Sequence, residues 1–291
     1  MLRVRNHRRR LVLHGLAACS MAPFSLAIGQ AKPTLRFGTT PVFLNDRVET
    51  TTRWRQYLAA ATGADVQFVQ RGSYGEILEL LMRDELEAAW VCGYPYVISK
   101  ASLELLATPI YQGKPLYQSY IIVPVYDAAT ESIADLRGRI FAFSDPLSNS
   151  GYLVPKSELA RLGTTSEVFF RKSFFTFSHR KVVDAVRLGV AQGGAVDGYV
   201  WDTLVKQQPE STQGVRVAWR SVTFGFPPLV VRRSLDVRFA AQLRRAFLGM
   251  AGTPAGRDVL ARLNLDSFGD APDSTFDGIA ALVRQVGGAK T

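Results

Sequence analysis

Ser148, Asn149, Ser150 and Gly151 follow an apolar run, Phe141-Ala142-Phe143, and a turn at Asp145-Pro146. That order reads as a strand that ends, turns and opens a helix. Backbone N–H groups at a helix N-terminus attract anions, and the helix dipole adds to the attraction. Side-chain donors of Ser148, Asn149 and Ser150 would surround the same point, a nest suited to a tetrahedral oxyanion. Ser148 or Asn149 could equally do no more than cap the helix.

Other residues could join such a nest. His179 follows Ser178 at the start of an amphipathic helix, on the polar side of a Val182/Val186 stripe. It could donate to an anion, which would favour its charged form, or sit at the surface as a cap. Tyr74 and Tyr96 each come just after a strand, where open α/β sheets bind their ligands. Each could offer its O–H while its ring walls a pocket, or only pack. Ser150, His179 and Asp197 can be drawn as a Ser-His-Asp triad. The Gly-x-Ser-x-Gly turn that presents such a nucleophile is missing, so a Ser/His hydrolase is the weaker reading. Beyond residue 31 the chain has one histidine, His179, and one cysteine, Cys92. Neither an ordinary zinc site nor an internal disulfide can be built from these, and no metal or other cofactor is expected.

The elements that must position these residues alternate along the chain. Strands are expected at 34–38, 66–70, 88–91, 105–110 and 117–123, with helices at 51–61 and 73–83. A second series has strands at 139–143, 168–170, 195–199 and 215–219 and helices within 148–162 and 178–188. Helices at 235–250, 254–263 and 276–286 end the chain. Such alternation implies an α/β fold of mostly parallel sheets flanked by helices. Two series joined by long strands imply two lobes, 32–123 plus 226–291 and 124–225, hinged by two crossings over a cleft.

Hydrophobic residues make up 47% of the 291 and charged residues 21%, a globular composition rather than a disordered one. Residues 1–10 hold Arg3, Arg5, Arg8, Arg9 and Arg10 and no acid, and an apolar run extends to about Ile28. This reads as an export signal cleaved near Ala31, giving a periplasmic product. The apolar stretches are short for a membrane anchor. Arg8-Arg9-Arg10-Leu11 resembles a twin-arginine signal, whereas Leu16-Ala17-Ala18-Cys19 resembles a lipobox that would anchor the chain at Cys19. The formal charge is +10, half of it from those five arginines. The remaining +5 suits an anionic ligand. No basic stripe with interleaved aromatics suggests nucleic acid.

Taken together in order and spacing, these residues resemble the periplasmic phosphate/phosphite/phosphonate-binding proteins, the solute-binding components of ABC importers. The matching pieces span nearly the whole chain after the signal. They are Leu35-Arg36-Phe37-Gly38 with Pro41; Tyr74; Ala89-Trp90 with Tyr96-Val97; Gly113, Pro115, Tyr117 and Ser119; and Asp135-Leu136-Arg137-Gly138. Asp145-Pro146, Ser148-Asn149-Ser150-Gly151 with Pro155, and Ser178-His179 with Ala185-Val186 complete them. The resemblance implies a type II periplasmic-binding fold, a non-enzymatic role, and a membrane permease as partner to a monomer. It also implies that Ser148, Asn149, Ser150 and His179 hold the oxyanion from one lobe while Tyr74 and Tyr96 approach from the other. Asn149 stands where Thr or Ser is more usual, and Gln192 where many relatives have an acid. Asp197 and Asp202 could recognise an amine on the ligand or could only cap and pack. A ligand sensor reporting to a membrane kinase is the alternative function.

Overall fold

A computed structural model describes residues 1–2, 32–40 and 48–288. The chain divides into two units at residue 31, and every element named below belongs to the second. The export-signal residues 3–31, Cys19 among them, and Pro41 lie outside the described residues.

The first sheet is laid down by β1 (Thr34–Thr39), α1 (Val48–Thr62), β2 (Asp65–Gln70), α2 (Tyr74–Met82), β3 (Ala88–Trp90), α3 (Gly93–Ile98) and β4 (Leu103–Ile110). β1 sends Leu35 and Phe37 inward, and Phe37 meets Trp54 of α1 and Phe68 of β2, each at 5.4 Å between ring centroids. Rings at such separations bury large areas and fix helix to sheet. A two-stranded ribbon then crosses to the second sheet: β5 (Leu116–Tyr117) pairs with β11 (Phe224–Gly225).

The second sheet contains β6 (Ser119–Pro124), β7 (Ile140–Phe143), β8 (Lys172–Phe175), β9 (Gly193–Asp197) and β10 (Val215–Arg220). Helices α4 (Val154–Arg161), α5 (Ser166–Phe169), α6 (His179–Arg187) and α7 (Gly198–Gln207) connect them. Of the apolar side expected on this helix, Val182, Val183 and Val186 are buried, whereas Val190 lies past the end of α6 and is exposed. The chain returns through β12 (Leu229–Arg232), α8 (Val237–Leu248), α9 (Pro254–Arg262), β13 (Ser267–Gly269) and α10 (Asp277–Gly288).

The first sheet has the order β13-β4-β12-β3-β1-β2 and the second β10-β6-β9-β7-β8. In each, parallel pairs such as β1–β2 and β7–β8 sit beside one inserted antiparallel strand, β12 or β6. The run 117–123 splits at Gln118. Tyr117 belongs to the two-stranded ribbon and β6 lies wholly in the second sheet.

Two expected strands differ. Residues 168–170 are not a strand: Phe169 ends α5, which buries Phe169 and leaves Val168 exposed, and the strand follows at β8. Three apolar residues are too few to show a period. The run 195–199 ends as strand at Asp197, whose carboxylate accepts the N–H groups of Tyr199 and Val200 and starts α7. A cap overrides the strand preference of Tyr199 and Val200.

Candidate functional site

β7 delivers Ser144 and Asp145 to the C-terminal edge of the second sheet. Asp145 builds the turn: its Oδ1 accepts the Leu147 N–H (2.8 Å) and its backbone carbonyl the Ser148 N–H (2.9 Å). Its Oδ2 accepts the backbone N–H of Tyr74 at 3.0 Å, tying the start of α2 to this turn. Burial pushes the Asp145 carboxyl above its usual range, and the two N–H donors oppose that shift.

Ser148 caps the helix, its Oγ accepting the Gly151 N–H at 2.9 Å. The first turn, Asn149–Leu153, is π-helical and runs directly into α4. Such widened turns frequently mark functional sites because they displace side chains from the regular helical spiral. Ser119 Oγ donates to the Ser150 carbonyl (2.6 Å), and the Ser144 N–H to the Gly151 carbonyl (3.2 Å), so the turn is pinned to β6 and β7. The Asn149 N–H donates to Cys92 Sγ (3.2 Å) and Asn149 Nδ2 to Tyr117 Oη (2.9 Å). Three buried polar atoms here have no partner: Ser144 Oγ, Asn149 Oδ1 and Ser150 Oγ. Leaving a buried hydroxyl or carboxamide unsatisfied costs about 1–3 kcal/mol, so a cluster of three at one helix start marks a place built for something else.

His179 is the first residue of α6 and is 1% exposed. Its Nδ1 accepts the Asp197 backbone N–H (3.1 Å) and its Nε2 lies 3.2 Å from Tyr74 Oη. Burial drives its pKa down to about 3, so the ring is neutral near neutral pH. A neutral ring whose Nδ1 accepts carries its proton on Nε2. His179 is therefore an uncharged donor, not the imidazolium an anion alone would favour. The Tyr74 hydroxyl is held protonated, its pKa pushed well above the usual value by burial.

Of the seven residues anticipated here, the fold brings Ser148, Asn149, Ser150, His179 and Tyr74 together. Asp197 arrives in another role. Its Oδ1 caps α7 (2.9 Å to the Tyr199 N–H, 3.3 Å to the Val200 N–H), and burial raises its pKa to about 8. What it offers His179 is a backbone N–H. The triad is therefore not assembled, because a catalytic Asp would accept from Nδ1–H and Ser150 Oγ has no partner at all. Tyr96 has other partners: its hydroxyl donates to Asp273 (2.5 Å), which Lys100 also pairs (2.7 Å), and its ring lies edge-on to Phe276.

Cys92, Tyr117 and Asp145 were not singled out as site residues, nor was Thr39, whose buried Oγ1 has no partner where β1 ends. Tyr117 and Asp145 belonged to the quoted pattern but carried no polar cluster to mark them. Cys92, its thiol raised to about 11 by burial, had only its position after β3. No group of three potential metal ligands occurs among the described residues.

Residues 37–276 match the family model of the phosphonate periplasmic substrate-binding proteins of ABC transporters. The chain belongs to this family. The phosphate-import protein PhnD of Mycolicibacterium smegmatis is 28% identical over 159 residues, 51% of this chain and 48% of that one. The chain thus spans about half the length of the curated relatives it matches. Among solved structures, the binding component of a Pseudomonas aeruginosa ABC phosphonate transporter superposes with a TM-score of 0.81 at 23% identity, covering 89% of this chain and 88% of that one. PhnD1 of Prochlorococcus marinus with methylphosphonate gives 0.78 at 18%, covering 87% and 98%. At these identities the likeness is one of fold, the type II binding-protein fold.

Proposed function

We propose that this chain is a periplasmic solute-binding protein that captures a phosphate-, phosphite- or phosphonate-like oxyanion at the start of the π-turn and delivers it, unaltered, to an ABC permease. The observation that carries the reading is the set of buried, unpartnered polar atoms of Ser144, Asn149 and Ser150, beside the neutral donors of His179 and Tyr74. Oxyanions present several acceptor oxygens in a tetrahedron, and converging hydroxyl and N–H donors satisfy them without a metal.

Tyr74 and Cys92 come from the first sheet and Asp145, Asn149 and His179 from the second, so the bonds between them cross the cleft. Two lobes, 32–123 plus 226–291 and 124–225, with the boundaries shifted to the ribbon at 116–118 and 224–225, would close over the anion. The family described as periplasmic, the arginine-led N-terminus and the net positive charge support export and an anionic ligand. The experiment is a thermal-shift panel of phosphate, phosphite and methylphosphonate on the chain from Lys32 onward. A ligand that binds the folded state raises the midpoint with concentration. No shift with any of these anions up to millimolar concentration refutes the reading.

A further inference from the structure

Ser150, Tyr74 and His179 are sources of hydrogen for an anion; Asn149 differs. Its backbone N–H is spent on Cys92 Sγ and one hydrogen of its Nδ2 on Tyr117 Oη. The atom left buried and unpartnered is Oδ1, which can only accept. The Tyr117 hydroxyl hydrogen does not need that oxygen, because Cys92 stands beside it as an acceptor.

The charges around Asn149 point the same way. Packed against this helix start are Tyr74 of α2, Cys92 ahead of α3, Tyr117 of the ribbon, Asp145 of the turn, His179 of α6 and Asp197 at the end of β9. α10 also touches it, with its charged Asp277 and Arg284 exposed. Among the described residues, none of these inward groups is a cation, since burial keeps His179 neutral. Two are carboxyls. A doubly charged ligand would be buried beside Asp145 with no counter-charge, and an unpaired buried ion is strongly disfavoured.

We propose that Asn149 Oδ1 accepts the O–H of a singly protonated oxyanion, so that the monoanion with its proton turned toward Asn149 is the species this chain captures. The proposal rests on the reading that the anion sits at this helix start. Rotating the carboxamide by a half-turn would place an NH2 group where Oδ1 lies and favour the dianion instead, so the ligand's own titration decides between the two.

The test is calorimetric titration from about pH 5 to 9 with methylphosphonate and with a more acidic halomethylphosphonate. For each ligand, affinity should be level below that ligand's second pKa and fall about tenfold per pH unit above it, as linkage of one proton requires. The break should move between the two ligands by the difference in their pKa values. Asn149→Thr, whose hydroxyl donates as well as accepts, should flatten the fall. A break at one pH for both ligands belongs to a protein group such as Asp197 and overturns the proposal, as does tighter binding of the dianion. The two-ligand comparison needs no variant. A protein that binds neither ligand at any pH refutes the anion site itself.

Discussion

His179 Nδ1 accepts the backbone N–H of Asp197 at 3.1 Å, and this one bond sets the proton of the ring on Nε2, 3.2 Å from Tyr74 Oη. The donor therefore comes from the tautomer and not from a charge. The same bond joins two buried titratable residues whose pKa values have moved in opposite directions.

Their opposite shifts predict the pH dependence of stability. His179 titrates near 6.5 when unfolded and about 3 when folded. Between those values only the unfolded chain takes up the proton, so stability falls as pH drops through that window. Asp197 titrates near 3.8 unfolded and about 8 folded. There the folded chain alone holds the proton, so stability falls as pH rises through that window. The two slopes oppose below 6.5, and Asp197's stands alone from there to about 8. Urea unfolding without ligand should show stability declining over that upper range. Asp197→Asn, which keeps an oxygen to cap α7, should remove most of the decline. A variant with the parent's slope would assign it to another group.

Ser148 and Ser150 should separate stability from affinity. Ser148 Oγ is occupied as the cap, so Ser148→Ala should cost about 1 kcal/mol of unfolding free energy with little loss of binding. Ser150 Oγ has no partner within the protein, so Ser150→Ala should leave unfolding nearly unchanged. It should weaken oxyanion binding by about 1.5–3 kcal/mol, the range for a hydrogen bond to a charged group. The reverse pattern would mean that the anion lies off Ser150.

The two tyrosines nearest in kind should differ just as sharply. Tyr117→Phe removes the acceptor of Asn149 Nδ2 and should cost about tenfold or more in affinity. Tyr96→Phe removes a bond to Asp273, away from the cluster, and should leave affinity within about twofold. A large affinity loss in Tyr96→Phe would return that residue to the site.

How far the site could be read from residues alone depended on how local each signal was. The strand–turn–helix at 141–151 and the stripe on α6 are set by neighbours in the chain, and both appear where expected. Asp197 takes the capping role that its position also allowed, and the Tyr96 hydroxyl goes to Asp273, 177 positions away. Nothing in the spacing of Tyr96 announces that distant partner. Cys92 takes part only because the fold brings β3's end to a helix start 57 positions on. The inserted strands β6 and β12 are likewise products of tertiary pairing, which periodicity does not report.

Gly151 gives the severest test of the helix start. A Cβ there would lie 1.8 Å from Ser144 Oγ, 2.6 Å from Ser144 Cβ and 3.0 Å from His179 Cε1. The first clash could be relieved by rotating the Ser144 hydroxyl. The second cannot, because Cβ is fixed by the backbone, so β7 and the π-turn must part. Overpacking of this kind typically costs about 1–3 kcal/mol. Gly151→Ala should therefore destabilise the protein by that amount and also weaken oxyanion binding, since Asn149 and Ser150 ride on the displaced turn. Ser144→Gly in the same chain removes both Ser144 contacts and leaves the tight 3.0 Å approach to His179 Cε1, where the ring must give by a few tenths of an ångström. The double variant should regain most of the lost stability, measured by urea unfolding. Binding should recover too, apart from whatever Ser144 Oγ itself contributes. If Gly151→Ala alone is as stable and binds as tightly as the parent, the close packing of β7 on the helix start is not what holds the site in shape.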